Sequence, residues 1–568
     1  MRANRLKFHP MPSWRTIFLL LCLRAAAGTH FGVEFNSWPL AVCNVLPFAE
    51  STGWTAPAGG PAPVDALGWP MSDAYSVLFD YAPQGYDPLR AVPSSIWGTY
   101  TVSFNGKGTV TLYPGLGVLL NSTFNSQTYS TLAFVSLVNR SNTPGLVVGV
   151  YGATRADGSG GFTDLRVLQP GCALSATPFF TPAVTAAIAP FSHIRMHEWF
   201  GTNTVPVTWP VTASWSDRRL LSDVFWASGV GGKPRAVGAP WETALIASHA
   251  AGEKPFWINI PVYASDDFVD SLASLLRTGA PALGIEGLSA PILYVEHANE
   301  IWLNTSNAPL NYAYNLAAAA GEVEADPASP LASGGEKDPV VWAQRRHAKR
   351  LREISVTFAA AFEGSGTRVC AVYAWMQAYA TDARKALQWL EDTYGEGEAA
   401  RVFCGLAVNA YHGPGSFPEG FPPLPDFASP SDVLTGVLAA TDASRASRDA
   451  TNAVAVAFGL QLMTYEGAGW PLPSGAGFNG LGFNATVASI IQFNRCNMSA
   501  DAEEYDVAAG WPADALQVYN FYGLSSPYFE MPSWGSLGLC EDVGHPMASP
   551  KYAAAVAIIQ ARSPSDNK

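Results

Sequence analysis

Two stretches place a carboxylate where a buried strand would surface. "ILYVEHANEIW" (292–302) is an apolar run that stops at Asn299-Glu300, and "GLQLMTYEG" (459–467) stops at Glu466 beside a glycine. Burial raises a carboxyl pKa and a nearby cation lowers it, so two such groups in different surroundings can hold different protonation states. One then keeps a proton to give to a leaving oxygen while the other, ionised, attacks carbon or positions water. A spacing of ~5–5.5 Å suits direct attack, and ~6.5–9.5 Å leaves room for the water. The competing reading for either residue is a solvated acid at a strand end. Glu296 shares a strand face with Glu300 and reads as a structural ion-pair partner for Arg195.

The elements that would position these acids run from about residue 177 onward. Short apolar strands, "HIRMHEW" (193–199), "PFWINIPV" (255–262), "PILYVEHANE" (291–300), "TRVCAVYAW" (367–375), "RVFCGLAVNAY" (401–411), "GLQLMTYEG" (459–467) and "ALQVYNFYG" (515–523), alternate with helix-like stretches. The helices are expected at 241–251, 266–278, 340–362, 380–394, 431–458 and 484–494. Such alternation implies parallel strands with right-handed crossovers. "HFGVEFNSW" (30–38) supplies an eighth strand and allows a closed (β/α)8 barrel. The favoured arrangement has barrel strand 1 at 31–37, a β-domain inserted after it, and a helix at about 177–191. The alternative uses 164–168 as strand 1. A doubly wound open sheet is disfavoured, because no Gly-rich dinucleotide turn follows any strand.

Barrels of this kind carry their chemistry at the C-terminal strand ends. Those ends hold Arg195, His197 and Trp199 on strand 2, Asn259 on strand 3, and Asn299, Glu300 and Trp302 on strand 4. Trp375 and Gln377 end strand 5, Asn409, Tyr411 and His412 end strand 6, Tyr465 and Glu466 end strand 7, and Trp534 follows strand 8. Trp302 and Trp375 read as packing residues.

The stretch 55–172 is rich in Gly, Pro, Thr and Val and reads as an antiparallel β-sandwich. Asn105-Gly106 within "GTYTVSFNGKGTVTLY" (98–113) predicts a two-residue hairpin. The expected divisions are a signal peptide at 1–28, barrel strand 1 and a linker at 29–54, the β-domain at 55–172, the barrel at 173–562 and a disordered tail at 563–568. The signal peptide rests on Arg2, Arg5, Lys7 and Arg15 preceding the apolar run 17–23 and the small residues 25–28. Five sequons, at Asn121, Asn139, Asn304, Asn484 and Asn497, agree with secretion. So do the six cysteines left after residue 28, an even number with fifteen possible pairings. A Cys370–Cys404 bond and two buried thiols are equally open. No Cys/His cluster has zinc spacing, so neither a metal nor a cofactor is expected. A formal net charge of −13 argues against nucleic acid, and no later run is long enough to span a membrane. The chain is expected to act as a monomer.

With "IRMHEWFGTN", "FWINIPVYASDD", "YVEHANEIW", "NAYHG", "TYEGAGW" and "SWGSLG…SPKYAA" in place, the sequence resembles clan A glycoside hydrolases over residues 30 to about 560. More narrowly, it is similar to secreted clan A-like proteins with a β-domain attached to the barrel. The resemblance implies a retaining β-glycosidase with Glu300 as acid/base and Glu466 as nucleophile. It further implies a sugar contact for Asn299, control of Glu466 ionisation by Arg195, a hydrogen bond from Tyr411 to Glu466, and an aromatic floor from Trp534. His412 departs from the pattern, and "HEW" leaves open whether His197 or Glu198 enters the site. Trp199 and Asn259 are further candidate contacts for the carbohydrate. Two other readings are a carbohydrate-binding matrix protein without turnover and a transglycosylase. Sugar and linkage are set by loops such as 201–240 and 412–430, which the sequence does not fold by inspection.

Overall fold

The computed structural model describes residues 29–35, 41–49, 53–80, 93–112, 117–137, 145–174, 179–203, 213–226, 238–303, 310–415, 422–472, 485–512, 515–526, 528 and 537–562. Eight parallel strands close into a barrel: β1 (His30–Glu34), β9 (His193–Arg195), β10 (Phe256–Ile260), β11 (Ile292–His297), β12 (Arg368–Trp375), β13 (Gly405–Asn409), β14 (Gln461–Glu466) and β15 (Leu516–Phe521). Each of these strands is buried on nearly every residue, because helices cover the outside and side chains fill the inside. Inside, Trp257, Tyr294, Met463, Tyr465 and Val518 pack together, so the barrel is a solid core and not a pore. Gly32 shows how tight it is: a Cβ there would lie 2.1 Å from His193 Nε2.

The first strand joins β9 on one side and β15 on the other, both parallel, with Glu34 opposite Arg195. Between β1 and β9 the chain builds two antiparallel sheets. One has the order β2 (Ala74–Asp80), β7 (Gly145–Thr154), β4 (Lys107–Leu112). The other has the order β5 (Val118–Asn125), β6 (Ser130–Leu137), β3 (Gly98–Asn105), β8 (Thr163–Leu168). Inward residues of both, among them Val102, Val110, Val135 and Val150, form a second core. Residues 164–168 therefore belong to the sandwich, which excludes the alternative first barrel strand.

The hairpin expected at Asn105-Gly106 does not form. β3 pairs with β6 and β8, while β4 pairs with β7 in the other sheet. Gly106 lets the chain cross between sheets: its φ is +140°, and its N–H donates to Tyr129 O instead of closing a two-residue turn.

The barrel helices begin where the sequence offers caps. Ser265 accepts from Phe268 N–H at the start of Asp266–Thr278, with two aspartates in the first turn. Ser429 and Asp432 form a capping box around Pro430, opening Pro430–Ala457. Helices Asn311–Ala325, Asn497–Ala509 and Pro550–Arg562 are present in addition to those expected, and the return helix is shortened to Pro182–Ile188. Disulfides join Cys43 to Cys172 and Cys370 to Cys404, and Cys496 and Cys540 are free thiols. Among the described residues no helix is long and apolar enough to cross a membrane.

Candidate active site

A single guanidinium organises the barrel mouth. Arg195, fully buried at the end of β9, donates from Nη1 to Glu34 Oε2 (2.7 Å) and Glu466 Oε1 (2.5 Å), and from Nη2 to Glu296 Oε2 (3.2 Å) and Asn299 Oδ1 (2.7 Å). Its partners come from β1, β14, β11 and the turn after β11, so only barrel closure assembles them. The cation also faces the rings of Tyr465 and Trp257, 5.3 and 5.8 Å from their centroids. Three buried carboxylates share one positive charge. Burial is the main reason that Glu34 and Glu296 are each pushed up to about 7, with Arg195 pulling the other way.

Glu466, last residue of β14, receives two charge-assisted hydrogen bonds. Arg195 supplies one, and Tyr411 Oη donates to Oε2 at 2.7 Å. Burial and the Glu34 charge raise its pKa; the Arg195 charge and the Tyr411 hydrogen bond counter them. Tyr411 reaches it from the end of β13, where a register shift at Val408/Asn409 brings Asn409 opposite Glu466.

Glu300 is differently placed. It is partly exposed, and no side-chain hydrogen bond or ion pair reaches its carboxyl among the described residues. Its pKa is raised well above the ordinary carboxyl value, first by burial and then by the charge of Glu466. The two carboxyls thus sit in unequal settings, Glu466 with two donors and Glu300 with none among the described residues. The turn carrying Glu300 is strained, with Ala298 at φ +61° and Glu300 at φ +46°, a region non-glycine residues seldom occupy. It is braced from beneath: Asn259 Nδ2 donates to Ala298 O (2.7 Å), Ala298 N–H donates to Ile260 O (2.8 Å), and Asn311 Nδ2 donates to Asn299 O (2.8 Å).

Beside Glu466, His197 Nδ1 lies 2.5 Å from Glu34 Oε1 and 4.0 Å from Glu466 Oε1, with Glu198 3.8 Å from Nε2. Glu34, His197 and Glu466 have the ligand types and spacing of a metal site. Arg195 Nη1, however, is bonded to both carboxylates, so a fixed cation already stands where a metal ion's charge would act.

The structure thus brings together Arg195, Asn299, Glu300, Tyr411 and Glu466. Three other candidates do not join them. Trp199 is fully buried against Phe35, Phe48, Phe179 and Phe180, because residues 198–200 turn back into the core as a short 3-10 helix. Asn259 is fully buried and spends its amide on the backbone of the Glu300 turn. His412 points away from Glu466, with Nδ1 3.5 Å from Asp506, which is itself bonded to Arg448. Trp302 and Trp375 pack against the core as expected. Trp534 lies outside the described residues.

Three residues that touch this site were not among the candidates. Glu34 ends β1 as Glu466 ends β14, and that shared position was a legible signal. Asn203 accepts from Asn299 Nδ2 (3.1 Å), and no pattern in "FGTN" announces it. Tyr522, partly exposed, packs 5.7 Å from the Tyr411 ring, and its pKa is raised by burial and by Glu198, Glu34, Glu466 and Glu300.

No protein-family model matches the sequence, and no curated protein does. Solved structures similar in fold include an arabinose-bound GH51 α-L-arabinofuranosidase (14% identity, TM-score 0.45, 94% of this chain and 81% of that one). They also include the GH51 arabinofuranosidase from Xanthomonas axonopodis pv. citri (12%, 0.40, 69% of each chain). A third is the endo-β-1,4-mannanase from Thermotoga petrophila (10%, 0.30, 68% and 74%). At these values the likenesses carry no argument about activity or substrate; the closed eight-stranded parallel barrel with its antiparallel sandwich stands on the chain's own strand pairing.

Proposed function

We propose that the chain is a retaining glycoside hydrolase in which Glu466 attacks the anomeric carbon and Glu300 serves as acid and then base. The observation that carries this reading is the unequal setting of the two carboxyls. Glu466 is held by Arg195 and Tyr411, while Glu300 has no donor among the described residues and feels the Glu466 charge. In the first step the C–O bond to the leaving group breaks, Glu300 hands its proton to that oxygen, and Glu466 forms the glycosyl ester. In the second, Glu300 takes a proton from water, whose oxygen displaces Glu466 and restores both groups. Asn299, locked by Arg195 and Asn311, is positioned to hydrogen-bond a hydroxyl of the sugar beside the anomeric centre.

The substrate class proposed is a poly- or oligosaccharide or glycoconjugate, met outside the cell. The disulfides Cys43–Cys172 and Cys370–Cys404 suit an oxidising compartment, and the sequons at Asn121 and Asn497 lie on exposed residues. A panel of 4-nitrophenyl glycosides of both anomers tests the central claim. Hydrolysis by the wild type that Glu466→Ala abolishes supports it, and undiminished hydrolysis by Glu466→Ala overturns it. Azide restores turnover to Glu300→Ala with a retained glycosyl azide as product if the displacement is double.

A further inference from the structure

His197 belongs to none of the roles assigned above, yet it is fully buried beside them. Its protonation can be worked out by counting hydrogens. Arg195 Nη2 donates to Asn299 Oδ1, which fixes the Asn299 amide so that Nδ2 faces Asn203 Oδ1. Asn311 Nδ2 also approaches Asn203 Oδ1, at 3.4 Å. With that oxygen accepting from both, the Asn203 amide turns its Nδ2 toward His197 Nε2, 3.4 Å away. An N–H directed at Nε2 requires a lone pair there, so the imidazole proton sits on Nδ1.

The other side of the ring agrees. Arg195 Nη1 also contacts Nδ1 at 3.2 Å, but its two hydrogens serve the shorter bonds to Glu34 and Glu466, at 2.7 and 2.5 Å. The group nearest Nδ1 is Glu34 Oε1, an ion-pair contact at 2.5 Å to a buried oxygen that is otherwise without a hydrogen-bond partner among the described residues, so a proton on Nδ1 gives it one. The contacts close on themselves: Arg195 to Asn299, Asn299 to Asn203, Asn203 to His197, His197 to Glu34, and Glu34 back to Arg195.

We propose that His197 is a positioning residue, a neutral imidazole protonated on Nδ1, whose place in this ring keeps Asn299 on the acid side in register with Glu466 on the nucleophile side. The catalytic part of this statement rests on the hydrolase reading; the tautomer and the ring do not. The charged groups facing the imidazole are Glu34 from β1, Arg195 from β9, Glu198 from the following turn and Glu466 from β14. Burial and Arg195 hold its pKa down at about 4, so the neutral ring persists through the weakly acidic range. Adding a proton at Nε2 sets two N–H groups against each other and opens the ring at Asn203.

The test uses the full chain with 15N-labelled histidine, His197→Gln serving to assign the resonance. At pH 7 long-range 1H–15N correlation is expected to show His197 protonated on Nδ1 alone. Asn203→Asp keeps an oxygen for Asn299 and presents a second oxygen to Nε2. It is expected to move a proton onto Nε2 and to lower kcat on 4-nitrophenyl glycosides at least tenfold while KM changes less than threefold. His197→Asn, whose amide can stand in for Nδ1–H, is expected to recover part of the kcat lost in His197→Ala. A proton on Nε2 in the wild type, or an Asn203→Asp variant with unchanged tautomer and kcat, overturns the proposal. If the wild type hydrolyses no glycoside, the hydrolase reading falls, and the tautomers in wild type and Asn203→Asp alone support or overturn the ring.

Discussion

Replacing Tyr411 with Phe removes one oxygen and little else. The ring keeps its packing against Trp470 and Tyr522, at centroid distances of 4.9 and 5.7 Å. What is lost is the 2.7 Å donation to Glu466 Oε2, a hydrogen bond to a charged acceptor. Such a bond is worth about 1.5–3 kcal/mol, and it acts only on the ionised carboxylate. At 1.36 kcal/mol per pKa unit, its removal raises the Glu466 pKa by about one to two units. As the proposed nucleophile, Glu466 must be ionised to attack, so the acidic limb of kcat/KM against pH should move up by the same one to two units. The plateau above it should fall far less than in Glu466→Ala. The assay is initial-rate kinetics on a 4-nitrophenyl glycoside from pH 4 to 9. An acidic limb displaced by less than about 0.3 unit, in a variant that still turns over, would refute the claim that Tyr411 holds the charge on Glu466.

Arg195→Met leaves Glu34, Glu296 and Glu466 buried without their cation, and breaking a buried pair in this way costs about 3–5 kcal/mol. Urea melts should show that loss at pH 7 and a smaller one at pH 5, where the carboxyls can take protons. Glu296 is pushed up from 4.5 to about 7, so the fold binds its proton more tightly than the unfolded chain does. Stability from this group is full below about pH 4.5 and lost as pH rises toward 7. The melting temperature of Glu296→Gln relative to wild type should therefore be more favourable at pH 8 than at pH 5. Removing the Cys43–Cys172 bond by a double Ala substitution frees a loop of 129 residues and should lower unfolding free energy by up to about 5 kcal/mol, measured by denaturant titration.

The barrel was legible because each strand is a short apolar run bounded by a polar end, and those ends are where Arg195, Asn299, Glu300, Tyr411 and Glu466 stand. A strand's last residues can be read from pattern, but the direction of the following turn cannot. Trp199 and His412 follow strand ends as Tyr411 does, yet one turns into the core and the other toward Asp506. Glu34 was passed over because its strand was read for what it completes and not for what it carries. The Asn105-Gly106 turn misled for a related reason: the dipeptide dictates a bend, while sheet membership is settled by contacts with β6, β7 and β8 far along the chain. Helix Asn311–Ala325 was hidden by a run of alanines that gives little amphipathic contrast.

The separation of β1 from the rest of the barrel bears on how the protein becomes competent. Glu34 and Arg195 are 161 residues apart, so the seam between β1 and β9 closes across a long excursion. The sandwich shortens it. Asn44 Oδ1 accepts from Val167 N–H, Val42 bridges Phe180, and Cys43 is tied to Cys172, so its two stems are held together. Once the sandwich has folded, only about 30 residues remain free between the strands, roughly a fivefold reduction. By (3/2)RT ln 5 this lowers the closure cost by about 1.4 kcal/mol, a tenfold gain in the chance that β1 finds its place. Because β1 delivers Glu34, the polar ring at the mouth is assembled in the same event. The inserted module is then an internal folding aid: a chain whose sandwich is damaged should retain helices and most strands yet leave its barrel unsealed and Glu300 and Glu466 unorganised.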